Sequence, residues 1–374
     1  MLKVMTIAGT RPELIRLSRV IARLDEHTNH TLVHTGQNFD YELNEIFFKE
    51  LGIRRPDELM DVAGGSPADT IGKVICQADR VIAAHSPDAI LILGDTNSAL
   101  AAIAAKKRKI PVFHMEAGNR SFDLRVPEEL NRKIVDHIAD LNLTYSQIAR
   151  QYLLREGLPP QQVVCIGSPM REVLTYYQSR IDASTVLDSL GLQENMYFVV
   201  SLHREENVDR PERLAQAFEV LSSVAAQHQL PVLVSLHPRT RSRIQAQGLP
   251  LPDLVRLHKP FGFLDYVRLQ QGARAVLSDS GTITEESSIL NFPAINLRDA
   301  HERPEGCEEA AVIFTGLDSQ LVLTALELVC QRSRGRHREI NLVKDYAADN
   351  VSVKVLSLIH SYTHYLKRKL MLGS

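Results

Sequence analysis

The sequence has no apolar run that approaches the roughly 20 residues a membrane-spanning helix needs, so we expect no membrane segment. Its apolar stretch before Gly9 is short and lacks a small-residue cleavage pattern, which favours a first β-strand over a signal peptide. Only four cysteines are present, they are far apart, and none forms a CxxC pair. This spacing excludes a zinc knuckle or a dithiol redox motif and is typical of a protein in a reducing cytoplasm.

An excess of charge of either sign is also missing. The 43 Lys and Arg residues balance 45 Asp and Glu residues, and the formal net charge is -2, so we expect no nucleic-acid partner. Neither GxGxxG nor a GxxxxGK motif occurs, which excludes the usual dinucleotide fingerprint and the P-loop. His360 and His364 are one helical turn apart but lack the Glu of an HExxH motif, so we expect no metal site there.

The sequence does contain short apolar runs that alternate with longer amphipathic stretches. The runs are rich in Val, Ile and Leu, as in parallel strands that are buried on both faces. We predict strands at residues 2–8, 31–35, 89–93, 111–115, 141–145, 163–166, 197–202, 231–236, 254–257, 275–277, 294–297 and 311–314. Helical patterns lie between them, for example at residues 12–24, 68–84 and 211–227. This order, repeated twice, predicts an α/β protein with two Rossmann-like domains.

A turn at residues 167–169, which read GSP, follows the last predicted strand of the first half. We therefore predict an N-terminal domain at residues 1–170 and a C-terminal domain at residues 171–350. The helical pattern at residues 351–374 is expected to pack back on the first domain.

Polar residues follow several of the predicted strands at their carboxyl ends, where ligands bind in open parallel sheets. In the first half these residues are GTRPE at 9–13, Asp95 and Glu116. In the second half they are His203, Arg204 and the SDSGT segment at 278–282. The pattern predicts an active site in a cleft where the two domains face each other.

The chemistry of these residues suits an anionic ligand and proton transfer. Helix-start amides with Arg11, and the loop containing Ser280, Gly281 and Thr282, suit phosphate groups. A tight turn is the alternative interpretation of the first loop, and a helix N-cap with acidic first-turn residues is the alternative for the second.

Carboxylates facing a cleft can act as acids and bases if their environments separate their pKa values. Asp95, Glu116 and Glu128 are candidates for this role, and a solvated or salt-bridged carboxylate is the alternative for each. His203 with Arg204 suits phosphate binding and leaving-group stabilisation, with a structural histidine as the alternative. Glu286, one turn into its helix, suits a ribose diol.

Six motifs occur in order along the chain: GTRPE (9–13), GDTNS (94–98), MEAGNR (115–120), PEELNRKIVDH (127–137), SLHREEN (201–207) and SDSGTITEE (278–286). With these motifs the whole chain resembles the non-hydrolysing UDP-N-acetylglucosamine 2-epimerase family. The resemblance implies a glycosyltransferase-B-like fold around a nucleotide-sugar cleft, a UDP-sugar substrate and a cytoplasmic homodimer.

The same resemblance implies roles for individual residues. The diphosphate contacts would be Arg11, His203, Arg204 and Ser280, and Glu286 would contact the ribose. The acid and base groups would be Asp95, Glu116 and Glu128, with Arg132 beside them. Arg16 stands where the best-known members have Lys, so the positive charge is kept but the cationic group has a different shape.

Departures from the glucosamine members indicate a branch of the family. Those members read AGLRTGD and DSGG, whereas this chain reads AGNRSFD at 117–123 and DSGT at 279–282. These patterns resemble the branch that inverts C2 of UDP-2-acetamido-2,6-dideoxy-L-talose to make UDP-N-acetyl-L-fucosamine for capsule and O-antigen. UDP-N-acetylglucosamine is the alternative substrate. The QHR-type segment linked to allosteric activation in glucosamine members reads QNFD at 37–40.

The implied reaction expels UDP from C1, which makes the C2 proton acidic, and passes through a 2-acetamidoglycal before UDP adds back. It needs a proton-transfer group on each face of the ring and cations for the departing UDP, and it needs no metal or nicotinamide. A glycosyltransferase, a hydrolysing epimerase and a nucleotide-sugar sensor remain as alternatives. A glycosyltransferase would need an acceptor, a hydrolysing epimerase would release free sugar, and a sensor would bind the nucleotide sugar without turnover.

Overall fold

The computed structural model describes residues 1–36, 41–123, 126–236, 238–249, 251–299 and 303–372. The chain divides into two compact units. The first unit comprises Met1–Thr175 and Asp345–Ser374, and the second comprises Tyr176–Lys344. Within the described ranges, no helix is both long and apolar enough to cross a membrane.

The first unit is a parallel sheet flanked by helices. Its strands are β1 (Lys3–Ala8), β2 (Asn29–His34), β3 (Glu58–Leu59), β4 (Ala89–Leu93), β5 (Val112–Ala117), β6 (Leu141–Thr144) and β7 (Val163–Cys165). Its helices are α1 (Arg11–His27), α2 (Tyr41–Leu51), α3 (Pro67–His85), α4 (Ala101–Lys107), α5 (Glu128–Ile138), α6 (Gln147–Arg155), the start of α7 (Met170–Asp182), and α16 (Val351–Leu372). Short 3-10 helices span Asn97–Leu100 and Pro160–Gln162. The strand order is β3-β2-β1-β4-β5-β6-β7, with parallel pairing throughout.

The second unit repeats this architecture. Its strands are β8 (Phe198–Leu202), β9 (Val232–Leu236), β10 (Val255–His258), β11 (Ala275–Ser278), β12 (Ala294–Asn296) and β13 (Ile313–Phe314). Its helices are α8 (Val186–Ser189), α9 (Glu205–Val208), α10 (Pro211–His228), α11 (Pro238–Gln247), α12 (Phe263–Gly272), α13 (Ile283–Leu290), α14 (Pro304–Glu308) and α15 (Ser319–Val329). A 3-10 helix at Lys344–Tyr346 spans the point in the chain where the second unit ends and the first resumes. The strand order is β10-β9-β8-β11-β12-β13, again parallel.

The apolar runs of the sequence form the centres of both sheets. In β4 all five residues, AILIL, are buried, because helices cover both faces of a parallel sheet. Each unit has its own apolar core, formed by inward-facing side chains of strands and amphipathic helices. The prediction of two parallel α/β units is therefore confirmed, whereas the short edge strand β3 was not predicted.

The division of the chain follows contacts at α7 and just before α16. Arg171 Nη1 donates a hydrogen bond to the carbonyl of Ala347 at 2.8 Å, and Ser168 N–H donates to the carbonyl of Asp345 at 3.0 Å. Glu172 accepts hydrogen bonds from the backbone and side chain of Ser352. The start of α7 and the segment from residue 345 onward thus belong to the first unit, a few residues from the predicted boundaries at 170 and 350.

Each sheet reverses its strand order once, and this reversal is where open α/β sheets bind ligands. In the first unit the reversal lies between β1 and β4, and in the second between β8 and β11. The GTRPE motif and Asp95 follow β1 and β4, while His203 and the DSGT segment follow β8 and β11. These candidate residues therefore lie at the strand ends beside the reversal in each unit, where open α/β sheets bind ligands.

Candidate active site

The loop after β1 passes very close to its neighbours in the first unit. A Cβ atom at Gly9 would lie 2.1 Å from the hydroxyls of both Ser98 and Thr35, so only glycine fits here. Helix α1 then begins at Arg11 with Pro12 in its first turn, where the missing amide hydrogen of proline is harmless. The guanidinium of Arg11 lies 5.4 Å from the ring centroid of Phe47.

Glu13, in the first turn of α1, is a buried carboxyl group beside this loop. It accepts hydrogen bonds from Gly9 N–H at 2.6 Å and from the Thr96 hydroxyl at 2.7 Å. Burial raises the pKa of Glu13 to about 7, against the lowering effect of these hydrogen bonds, and the nearby charge of Asp95 adds to the rise. Sequence reasoning included Glu13 in a motif but assigned it no role, because its burial depends on packing.

We expect Glu13→Gln to gain stability relative to wild type as the pH rises. A carboxyl group whose pKa is raised from 4.5 to about 7 on folding stabilises the fold fully below pH 4.5 and loses that contribution as the pH passes 7. The shift corresponds to about 3 kcal/mol. Unfolding of both proteins at pH 5 and pH 8 measures it, and a stability difference that does not change with pH would contradict the assignment.

Asp95 follows β4 and is joined to helix α5. Arg132 Nε donates to Asp95 Oδ2 at 2.5 Å, and Arg132 Nη1 lies 3.2 Å from Glu129 Oε2. Asn131 Nδ2 donates to the backbone carbonyl of Asp95 at 2.9 Å. Successive residues of α5 thus hold both the backbone and the carboxylate of Asp95, with the buried Arg132 supplying a positive charge.

Glu116 lies in β5 with a left-handed backbone, φ 63°, at a point where the pairing of β5 with β6 shifts register. This conformation is uncommon for residues other than glycine and stores roughly 1–3 kcal/mol of strain, which is characteristic of functional sites. Arg16 Nε lies 3.8 Å from one carboxylate oxygen of Glu116, and Asn119 Nδ2 donates to the other at 3.3 Å. The bulge therefore directs the carboxylate toward a cation and away from the regular strand pattern.

Glu128 begins α5, one turn before Arg132, where a carboxylate is favoured by the helix dipole. Its neighbour Glu129 is fully buried and accepts hydrogen bonds from the amide and hydroxyl of Ser121 at 2.9 and 3.0 Å. Of the two adjacent glutamates, Glu129 thus holds the loop after Glu116, and Glu128 is the more accessible one. Residues 124–125 of this loop and the QNFD segment at 37–40 lie outside the described residues.

In the second unit, a buried carboxylate organises the end of β8. Asp279 accepts hydrogen bonds from the backbone N–H groups of His203 and Arg204 at 3.1 and 3.0 Å, and from Asn207 Nδ2 at 3.2 Å. His203 Nδ1 lies 3.0 Å from Asp279 Oδ1. Burial alone would raise the pKa of Asp279, but His203 and these hydrogen bonds hold it below its usual range. Asp279 was not among the predicted site residues, although its DSGT motif was.

The loop after β11 presents hydroxyls at the start of α13. The hydroxyls of Ser280 and Thr282 lie 2.9 Å apart on either side of Gly281, and the Ser280 N–H donates to the Ser278 hydroxyl at 3.0 Å. Within α13, Glu286 is buried and accepts a hydrogen bond from Gln270 Nε2 at 2.6 Å. A helix start with adjacent hydroxyls suits an anion, while a held carboxylate suits a diol.

The predicted residues thus form two clusters, which we name by unit. The first-unit cluster contains Arg11, Arg16, Asp95, Glu116, Glu128 and Arg132, and it includes direct Arg16–Glu116 and Arg132–Asp95 contacts. The second-unit cluster contains His203, Arg204, Ser280, Gly281, Thr282 and Glu286, with His203 and Arg204 linked through Asp279 to the DSGT loop.

The two Rossmann-like units have the glycosyltransferase-B-like fold, which solved structures of similar chains share. The sequence pattern of the UDP-N-acetylglucosamine 2-epimerase family matches residues 22–360. The chain belongs to this family and is an isomerase, as predicted.

Individual relatives agree with this assignment. The structure of a UDP-N-acetylglucosamine 2-epimerase from Rickettsia bellii is 48% identical and superposes with a TM-score of 0.93, with 100% of both chains covered. The Methanocaldococcus jannaschii UDP-GlcNAc 2-epimerase in complex with UDP-GlcNAc and UDP is 30% identical, with a TM-score of 0.90 and coverage of 96% and 100%. A Pseudomonas aeruginosa UDP-2,3-diacetamido-2,3-dideoxy-D-glucuronate 2-epimerase is 35% identical over 86% of this chain and 90% of its own.

A more distant likeness concerns the fold alone. The structure of Acinetobacter baumannii MurG is 13% identical and has a TM-score of 0.55. The predicted glycosyltransferase-B-like fold class is confirmed by these structural matches. The relatives named here do not select the L-fucosamine branch, so that finer assignment stays a prediction.

Proposed function

We propose that the protein inverts C2 of a UDP-2-acetamido sugar without a cofactor, by eliminating UDP and adding it back. The proposal rests on the first-unit cluster, where two carboxylates each lie against an arginine. Asp95 follows β4 at the reversal of the sheet, and Glu116 is in the adjacent strand β5. Binding a uridine diphosphate does not need several carboxylates, whereas moving a proton from one face of a sugar ring to the other needs at least two groups.

The proposed reaction uses only bonds of the substrate and protons carried by carboxyl groups of the first-unit cluster. The C1–O bond breaks and its electron pair stays on the phosphate oxygen of UDP. One carboxylate takes the C2 proton, and the electrons of the C2–H bond form the C1=C2 double bond of a 2-acetamidoglycal. A carboxyl group on the other face returns a proton to C2 while UDP re-forms its bond to C1, which completes the inversion.

The second-unit cluster would hold the leaving group. The α13 helix start with Ser280, Gly281 and Thr282, together with His203 and Arg204, would stabilise the diphosphate as its charge develops. Glu286 would bind the ribose, since Gln270 already holds its carboxylate in place. In the first unit, Arg11 at the start of α1 would add a further diphosphate contact.

For the sugar we propose UDP-2-acetamido-2,6-dideoxy-L-talose, which would yield UDP-N-acetyl-L-fucosamine for capsule or O-antigen. Support comes from the loop after Glu116, where Asn119 contacts the Glu116 carboxylate and Phe122 presents a ring that is 68% exposed. The Phe122 ring packs edge-on against Tyr152, with centroids 5.1 Å apart, so it offers a fixed apolar surface. Such a surface suits a C6 methyl group better than a hydroxymethyl group.

UDP-N-acetylglucosamine is the second candidate substrate, because the 48% identical Rickettsia bellii protein is named a UDP-N-acetylglucosamine 2-epimerase. We expect the 6-deoxy sugar to have a kcat/KM higher by about tenfold to a hundredfold, the effect of burying a hydroxyl without a partner. NMR kinetics with the two sugars, and with UDP-2,3-diacetamido-2,3-dideoxy-D-glucuronate as a third, decide between them. An equal or higher kcat/KM for UDP-N-acetylglucosamine would overturn the branch assignment.

The same assay in D2O tests the mechanism. We expect the epimer to carry deuterium at C2 and to form without any added cofactor, because the C2 proton is lost to a carboxylate that exchanges with solvent. Epimer that keeps its original proton throughout would exclude the elimination route. The homodimer that the resemblance implies belongs to the same proposal, and light scattering of the purified protein tests it.

A further inference from the structure

A cluster of buried charges lies behind the strand ends of the first unit. It consists of His114, Arg120 and Asp136, whose side chains are almost completely inaccessible to solvent. Buried ions are expensive to desolvate, and replacing them with apolar residues is often neutral or stabilising. A gain in folding stability therefore does not by itself explain why these three charged side chains are buried together.

Asp136 holds the backbone that follows Glu116. Both of its carboxylate oxygens accept from the N–H of Gly118 at 3.2 Å, and one accepts from Arg120 Nη1 at 2.7 Å. Gly118 has φ 80°, and a Cβ there would lie 2.4 Å from the carbonyl oxygen of Ala149. Asp136 thus fixes the chain two residues beyond the left-handed Glu116.

Asp136 also pairs with His114, which contacts the residue that precedes Asp95. His114 Nδ1 lies 3.0 Å from Asp136 Oδ1, and His114 Nε2 donates to the carbonyl oxygen of Gly94 at 2.7 Å. Gly94 is the residue directly before Asp95. One carboxylate is therefore connected to the backbone beside both Glu116 and Asp95.

Within this cluster, each charged side chain stabilises the charged form of its neighbour. Burial would lower the pKa of His114, but Asp136 and the Gly94 carbonyl raise it above its usual value. Burial would raise the pKa of Asp136, but His114 and Arg120 hold it low. Arg120 is also paired with Glu156, at 2.6 Å between Nη2 and Oε2.

We propose that Asp136 is a positioning residue that sets the placement of Glu116 relative to Asp95, two of the three carboxylates of the first-unit cluster. This inference rests on the proposed function. Proton transfer depends steeply on geometry, and a displacement of about 1 Å costs about a hundredfold in rate. A purely structural Asp136 would instead affect stability and leave the chemistry of the folded enzyme unchanged.

The test compares Asp136→Asn, in helix α5, with Asp140→Asn, the same substitution in the turn between α5 and β6 of the same unit. Asp140 accepts from Val112 N–H at 2.9 Å and from Lys106 Nζ at 2.6 Å, at the start of β5 rather than its end. We expect Asp136→Asn to lower kcat by about tenfold to a hundredfold, with KM and UDP affinity changed by less than about threefold. Asp140→Asn should keep the wild-type kcat.

Release of the intermediate provides a readout that altered stability would not change. A misplaced carboxylate returns the proton to C2 slowly, so more 2-acetamidoglycal and UDP should escape per turnover of Asp136→Asn, which NMR detects. A folded Asp136→Asn protein with wild-type kcat and no additional glycal would overturn the inference. If this variant does not fold, His114→Gln decides, because it removes the charge facing Asp136 and keeps a donor for Gly94.

For His114→Gln we expect a lower kcat and more released glycal, and wild-type values of both would overturn the inference.

The activity of the wild-type protein separates the positioning role from the proposed function. A wild-type protein that epimerises none of the UDP-sugars overturns the proposed function and the positioning role together. An active wild type with a fully active Asp136→Asn variant overturns the positioning role alone.

Discussion

Glu116→Gln is expected to lower the turnover of UDP-sugar epimerisation at least about a hundredfold while UDP still binds, because general acid–base groups contribute about 10²–10⁴-fold. The amide keeps the size of the side chain and its contact with Asn119, but it cannot take a proton from C2. Asp95→Asn and Glu128→Gln should give losses of the same order. Steady-state kinetics and UDP titration measure both quantities.

The control for this series is again Asp140→Asn, which removes a carboxylate from the turn between α5 and β6, in the same unit but outside the first-unit cluster. Near-normal turnover in any one of the three variants would remove that residue from the catalytic set. Loss of UDP binding together with turnover would instead indicate that the residue belongs to the binding of UDP.

His203→Ala should weaken UDP binding and slow turnover together, by about a hundredfold in kcat, as for removal of a preorganised donor to a developing oxyanion. The reason is geometric: Asp279 lies against Nδ1 of His203, which leaves Nε2 as the nitrogen available to a phosphate oxygen. Isothermal titration with UDP and steady-state kinetics measure the two effects.

His85→Ala is the matched control, because His85 also pairs with a carboxylate, at 2.9 Å from Glu58, but lies outside both clusters. Unchanged UDP affinity and unchanged rate in His203→Ala would make His203 a structural residue. A loss of affinity alone would limit its part to binding of the ground state.

The strands and their ends were predictable because burial on both faces makes them continuous apolar runs. β4 reads AILIL and is buried along its whole length, so Asp95 could be placed at a strand end from sequence alone. β3 was missed because its two residues, Glu58–Leu59, are too few to show a period. Edge strands of this length depend on pairing with a neighbour, here β2, which the sequence does not specify locally.

Within the candidate site, the motif residues were predictable from the sequence, but the buried carboxyl groups that contact them were not. Glu13, Asp136 and Asp279 are buried carboxyl groups, and their partners are set by packing between distant segments. The left-handed backbone of Glu116 was also invisible in the sequence, since no glycine marks its position. Sequence patterns report where a strand ends, whereas the direction of a side chain depends on what surrounds it.

The first unit is discontinuous, and this affects the order in which the protein acquires its structure. Helix α16 packs against α1, with Val355 and Ile359 fully buried, but it is synthesised only after the whole of Tyr176–Lys344. While the chain is still on the ribosome, the second unit can be complete before α16 covers its side of α1. We therefore expect the nascent first unit to be the more aggregation-prone of the two, because domains fold as units during synthesis and transiently exposed apolar surface promotes aggregation.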